Sequence, residues 1–255
     1  CKRKMAKPPA TSPEAVSLPK GGAAFKPIDE MFKSDLATGS GFYQIPLSLP
    51  KGVNNLTPNV LLSYSSGQGN GHFGMGWAFH LPKMMRSTKK GIPTFGEQDL
   101  FLFDSRELID IGGGLYQPEV ESEFLEIRKR DDDSWQVCTK NGLTMILGSS
   151  DNSRLQVEGT KIMQWLLDTM EDANDNKITY EYQKDGDDAY LKSISYSIYR
   201  VEFSYENRDD AYSDFRSGYE VRTNLRCKSI DVLLLKPSMQ PIKSYRLKYE
   251  QTKYS

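Results

Sequence analysis

Ile178-Thr179-Tyr180-Glu181-Tyr182 decides the fold. Ile178, Tyr180 and Tyr182 recur at every second position, the period that puts side chains on one face of a β-strand. Upstream, Asp172-Ala173-Asn174-Asp175-Asn176 is a dense turn signal, because Asx side chains bond their own backbone. Downstream, Asp185-Gly186-Asp187-Asp188 turns the chain and Leu191-Lys192-Ser193-Ile194-Ser195-Tyr196 returns. The same grammar runs in both directions. Val201, Phe203 and Tyr205 alternate, and so do Tyr245, Leu247 and Tyr249, while Ile230 to Leu235 is a short apolar run. On the N-terminal side, strands are expected at Phe42–Leu49, Val60–Tyr64, Leu100–Phe103, Phe124–Arg128, Trp135–Thr139 and Thr144–Leu147. Asn141-Gly142 supplies the hairpin turn between the last two, since both residues accept positive φ. Ile162 to Met170 is the one run where a helix competes, with Trp165, Leu166 and Met170 on one helical face. Its shortness and the turn after it favour a strand.

Strands spaced about ten residues apart, with no alternation of strand and helix, predict an all-β antiparallel architecture with few short helices. The 255 residues suffice to bury a sizeable core. Residues 1–16, rich in Lys, Pro, Ala, Ser and Thr, read as an extended linker or tether, and 17–255 as the β domain.

Composition narrows the function. The 33 basic and 34 acidic residues leave no excess of positive charge, so no nucleic-acid partner is expected. No apolar run approaches the ~20 residues of a membrane helix. Cys1, Cys138 and Cys227 have no metal-ligand spacing and make no disulfide framework. Cys138 reads as a small core residue. A chain that begins at Cys1 is what lipoprotein processing leaves, which makes Cys1 a candidate lipidation site and the only expected link to a membrane; alternatively, the sequence simply starts there.

Residues that look chemical mostly read as structural. Gly69-Asn70-Gly71-His72-Phe73-Gly74 matches GxGxxG, but a dinucleotide site needs a helix to open at that loop. The next residues, Met75-Gly76-Trp77-Ala78-Phe79-His80-Leu81-Pro82, alternate and end at Pro. The block Gly67, Gly69, Asn70, Gly71, Phe73, Gly74, Gly76 and Trp77 is therefore expected to be a tight structural turn with Phe73 and Trp77 packed beneath it. Glu121-Ser122-Glu123 resembles the paired Glu of ADP-ribosyl transfer, but the upstream Arg and Ser-Thr-Ser strand are missing, and a solvated strand edge is the simpler reading. His72 and His80 have no acidic or thiol partner at ligand spacing. Asp131-Asp132-Asp133 and the Asp185–Asp188 cluster do not follow calcium-loop spacing. No catalytic residue, cofactor or metal is expected.

Several stretches resemble one family. Ser17-Leu18-Pro19-Lys20-Gly21-Gly22-Ala23 is similar to the S-L-P-K-G-G-G opening of toxin complex B components. Leu62-Ser63-Tyr64-Ser65-Ser66-Gly67-Gln68-Gly69-Asn70-Gly71-His72-Phe73-Gly74-Met75-Gly76-Trp77 is similar to their L-x-Y-x-S-G-x-G-N-x-x-F-G-x-G-W. Gln164 to Leu167, Asp172 to Asn176 and Phe215 to Thr223 resemble later blocks. The chain thus resembles the SpvB-like N-terminal domain of insecticidal toxin complex B components and Rhs-type toxins. Asn174 to Tyr196 also has the form of one YD-type repeat.

The resemblance implies a non-catalytic scaffold segment, part of a Rhs/YD-type β-shell that encloses a toxic C-terminal payload. The implied partners are the remainder of the same polypeptide, with its propeller and shell, or other toxin-complex subunits. The implied location is secreted or at the bacterial cell surface. On this reading the natural polypeptide continues past Ser255. A different class, a surface-anchored adhesin or carbohydrate-binding module using exposed Tyr and Trp, remains open at this point.

Overall fold

The structure is a computed structural model that describes residues 32–35, 40–96, 98–120 and 124–250. It is all-β, as the alternation predicts. Among the described residues twenty strands occur in order: β1 Phe32–Asp35, β2 Ser40–Pro46, β3 Leu61–Ser65, β4 Asn70–Gly71, β5 Gly74–Met75, β6 Trp77–Phe79, β7 Lys83–Arg86, β8 Phe101–Phe103, β9 Arg106–Gly112 and β10 Leu115–Pro118. Then come β11 Leu125–Lys129, β12 Trp135–Thr139, β13 Thr144–Leu147, β14 Arg154–Val157, β15 Lys161–Glu171, β16 Lys177–Asp185, β17 Asp188–Tyr196, β18 Tyr199–Asp214, β19 Val221–Leu234 and β20 Gln240–Arg246. Two 3-10 turns, Val53–Asn55 and Asp151–Ser153, are the helical elements among the described residues. No helix there is long and apolar enough to cross a membrane.

Strand β15 organises the molecule. Its residues 164–166 pair with β7 on one edge, and its residues 167–171 pair with β13 on the other. Strands β7 to β13 run in sequential antiparallel order, so β15 closes them into an eight-stranded barrel. A barrel of eight strands has an interior that side chains alone can fill. Alternation supplies the filling: Met84 on β7, Phe101 and Phe103 on β8, Trp135 and Val137 on β12, Leu147 on β13, and Trp165 and Leu167 on β15 are all buried. The rings of Phe101, Trp135 and Trp165 meet edge to face at 4.9–5.9 Å. Arg86 is also buried. Its guanidinium lies over the Phe101 and Trp165 rings, donates to the Ile162 carbonyl at 2.9 Å, and pairs with Asp99 at 2.7 Å.

From the far end of β15 the sheet continues as a meander, β16 to β20. Here Ile178, Tyr180 and Tyr182 share a buried face, as their spacing predicts. Gly142 and Gly186 carry positive φ at the β12–β13 and β16–β17 turns. Residues Ile162–Met170 lie in a strand, not a helix. A separate four-stranded sheet, in the order β1-β2-β3-β6, packs on the meander through Phe79 against Phe203 at 5.6 Å. Tyr196 Oη donates to the Pro50 carbonyl, and Tyr245 Oη accepts from the Ser48 amide.

Some expectations need correction. Cys138 is half-buried, and Cys227 is the buried thiol, pushed up to about 12 by burial. The C-terminal strand is centred earlier than the Tyr245–Tyr249 alternation suggests, so Tyr249 lies beyond β20. Cys1, the linker 1–16, the Ser17–Ala23 stretch, Glu121 and Glu123 lie outside the described residues.

Candidate functional site

The glycine-rich block forms the short β4–β5 hairpin and runs on into β6. Its β4–β5 hairpin is succeeded by another strand, β6, and not by a helix. No helix N-terminus is therefore available to meet a pyrophosphate. Gly76 donates its amide to the Gly69 carbonyl, and the Ser65 amide donates to the Gly76 carbonyl, which folds the block back on β3. Two of its glycines, Gly74 and Gly76, have positive φ. Phe73 is buried against Phe79 at 4.5 Å. Trp77 is half-buried, sandwiched between Tyr64 at 5.3 Å and Tyr43 at 6.1 Å. Gly67 and Gly69 are exposed.

A Cβ on Gly76 would stand 2.5 Å from the Tyr64 ring and 2.9 Å from the Ser65 carbonyl oxygen. Gly76→Ala is expected to cost about 1–3 kcal/mol from strain alone. Gly69→Ala, with nothing within 4 Å of its added carbon, should be nearly neutral. Urea unfolding of the two variants side by side checks this.

The hairpin is pinned to the meander by a polar clamp. His72 Nε2 lies 2.9 Å from Asp188 Oδ2, and the Thr223 hydroxyl donates to the same oxygen at 2.8 Å. The Ala189 amide donates to Asp188 Oδ1 at 2.8 Å. The His72 ring lies on the buried Tyr190 ring, centroids 4.2 Å apart. Beside it, Asn70 donates to Asp210, which also accepts from Arg208, and Arg208 donates onward to the Gly71 carbonyl. The Cys227 amide donates to the His72 carbonyl at 2.7 Å. Burial pushes the Asp188 carboxyl up, but the His72 bond and charge, the Thr223 hydroxyl and the Ala189 amide outweigh it and hold it below its ordinary value. The Arg208 guanidinium likewise holds Asp210 far down.

Sequence reasoning gave His72 no acidic partner. The partner is 116 residues away, and Asp188 reads from the sequence as part of a solvated turn. In the structure Asp187 is exposed and Asp188 is buried. No local signal reveals this, because the pairing depends on the hairpin docking over β17.

An Asp–His pair is two parts of a nucleophilic triad. The third part is not assembled. No hydroxyl or thiol among the described residues is hydrogen-bonded to the His72 ring, whose contact is with Asp188, and the nearby Cys227 thiol, raised and buried, donates to the Ser229 carbonyl. The arrangement can hold two layers together. Among the described residues no three His, Cys, Asp or Glu side chains gather as a metal would need. Glu119, next to the Glu121-Ser122-Glu123 stretch, is exposed.

Comparison with known proteins places these features in a context. The model of the family described as "Salmonella virulence plasmid 65kDa B protein", SpvB, matches residues 36–112 and 114–198. The mono(ADP-ribosyl)transferase SpvB of Salmonella choleraesuis (strain SC-B67) is 28% identical over 204 residues, covering 68% of this chain and 33% of that protein. Its counterpart in Salmonella typhimurium is 27% identical over 203 residues, with 67% and 33% covered. The chain therefore spans about a third of the length of the curated relatives it matches. The crystal structure of TcdB2-TccC3 superposes with a TM-score of 0.81 at 21% identity, over 95% of this chain and 16% of that one. The N-terminal domain of effector protein SpvB from Salmonella typhimurium strain LT2 gives 0.73 at 22% identity, over 82% of this chain and 94% of that one. At these identities the solved structures share the fold.

Proposed function

Because the chain belongs to the SpvB family, we propose that it is a non-catalytic scaffold segment of a secreted toxin-complex or Rhs-type protein, contributing to a β-shell around a toxic C-terminal payload. The observation that carries this reading is the polar clamp. The block that most resembles the toxin-complex proteins offers its His72 and Asn70 side chains and the Gly71 carbonyl to Asp188, Asp210 and Arg208 of the meander, tying one sheet to another. Those groups are bonded to one another and to the backbone across the two layers. The matched relatives are named transferases, yet the match covers a third of their length, and a solved match is an N-terminal domain.

The partners on this reading are the remainder of the same polypeptide or other toxin-complex subunits, and the site of action is outside the cell or at its surface. Strand β20 is the place where such a partner would join. Among the described residues it pairs with β19 on one side only, and Gln240 to Ser244 and Arg246 are exposed. An edge of this kind offers unpaired backbone groups to another strand. The carbohydrate-binding alternative needs flat aromatic faces open to solvent. Tyr43, Tyr64 and Trp77 instead pack on one another, with the Tyr43–Trp77 planes at 90°.

Incubation of the domain with labelled NAD and a crude protein acceptor should yield no modified product. Transfer that disappears in Glu121→Ala or Glu123→Ala would overturn the non-catalytic reading.

A further inference from the structure

Strand β20 ends at Arg246, but the chain keeps its alternation for four more residues. Leu247 and Tyr249 are half-buried, whereas Lys248 and Glu250 are exposed. A backbone bond from the Leu247 amide to the Lys228 carbonyl, 3.0 Å, holds this segment against β19. Lys228 is the extra residue of a bulge there. Ser229 pairs with Ser204 and Cys227 with Tyr205, which leaves Lys228 without an opposite number on β18. A bulge re-aims the backbone groups beside it. Both groups of Cys227 are turned to other elements. Its amide donates to the His72 carbonyl of the glycine-rich hairpin at 2.7 Å, and its carbonyl accepts from the Tyr249 hydroxyl at 2.6 Å.

The Tyr249 ring closes on the same hairpin. A Cβ on Gly74 would stand 3.0 Å from it, so the bare backbone of Gly74 is what admits the ring. On its other contact the ring meets the Arg226 guanidinium at 4.6 Å, and Arg226 is itself fixed by Glu206 at 3.0 Å. The hairpin is thus gripped from two sides. Asp188 and Arg208 hold His72 and the Gly71 carbonyl from the meander, and Tyr249 covers Gly74 from the C-terminal segment. The two grips differ in their footing. The first stands on β17 and β18, each paired along both edges. The second stands on four residues outside any strand. A segment with few backbone bonds opens at a lower free energy than the interior of a sheet.

We propose that residues 247–250 are a strap, fastened by Tyr249, whose release lets the glycine-rich hairpin lift from the meander as a unit while the barrel stays folded. The strap is a conformational device: the segment that leaves β20 controls how firmly the hairpin is seated. Cys227 links the two, because one residue bonds the hairpin through its amide and the strap through its carbonyl. The inference goes beyond the scaffold reading and does not depend on it.

Amide hydrogen exchange of the 255-residue chain, resolved by mass spectrometry, tests the strap. Tyr249→Phe keeps the ring and removes the hydroxyl. Exchange over residues 70–76 and at Cys227 should quicken about three- to tenfold, the scale of one net hydrogen bond. Tyr249→Ala removes the ring as well and should quicken it further. In both variants the barrel strands β12 and β13 should keep their exchange rates. Tyr245→Phe, which removes the hydroxyl that meets the Ser48 amide, should leave the hairpin as it is. Hairpin protection that survives both Tyr249 variants, or acceleration of hairpin and barrel by the same factor, overturns the proposal. If Tyr249→Ala fails to fold, Tyr249→Phe against Tyr245→Phe decides alone.

Discussion

Trp165→Ala should destabilise the domain by about 3–5 kcal/mol, the range for deleting a large buried aromatic side chain. Trp165 is 1% exposed and sits on β15, the strand that closes the barrel. Its ring meets both Phe101 and Trp135, and the Arg86 guanidinium lies over it. The indole also fills the space beside Gly148, whose φ is positive and where an added Cβ would run into the Trp165 ring. Removing the indole therefore empties the centre of the barrel, exposes one face of Arg86 to a void and loosens the seam. Denaturant unfolding should show a lower midpoint, with near-ultraviolet dichroism lost before far-ultraviolet dichroism if the barrel loosens first. A loss below about 1 kcal/mol would mean that β15 does not close the barrel tightly.

Asp188→Ala should cost about 3 kcal/mol, because a buried carboxylate with three partners leaves all of them unsatisfied when it goes. The His72 ring, the Thr223 hydroxyl and the Ala189 amide would each lose their acceptor. His72→Ala should lose part of the same energy, and the double variant should lose less than the sum of the two. The pH dependence has a definite sign. The folded carboxyl titrates below its ordinary value, so it binds its proton less readily than in the unfolded chain. Its stabilisation is thus fully present above the unfolded value of about 4 and is lost as pH falls through the folded value. The difference in unfolding free energy between the unaltered chain and Asp188→Asn should shrink on acidification below about pH 4. A difference independent of pH down to acid unfolding would place the pair outside the clamp described.

The strands and hairpins were legible because their signals are local. Ile178, Tyr180 and Tyr182 announce a strand by spacing, and Asn141-Gly142 announces a turn by what its backbone tolerates. Barrel closure was not legible. It depends on β15 being long enough to offer β7 and β13 different stretches of its two edges, and nothing in Lys161–Glu171 states which strands those will be. The strands at Arg106–Gly112 and Leu115–Pro118 were missed for a related reason. Outward-facing Ile109 and Ile111 are half exposed, so they break the simple apolar-in, polar-out alternation. In the glycine block the residue types bear on the backbone locally, and Gly74 and Gly76 hold positive φ. Its clamp was not legible, because His72 with Asp188 and Asn70 with Asp210 meet only after the N-terminal sheet docks on the meander.

The scaffold account turns most directly on the open edge at β20, where Ile242 is half exposed and the strand has one neighbour among the described residues. Sedimentation velocity of residues 17–255 over a wide concentration range measures it. The account predicts concentration-dependent self-association through that edge, abolished by Ile242→Lys, because a charge on an edge strand opposes pairing with another chain. A monodisperse monomer that unfolds cooperatively, unchanged by Ile242→Lys, would contradict the account and mark the domain as an independent unit.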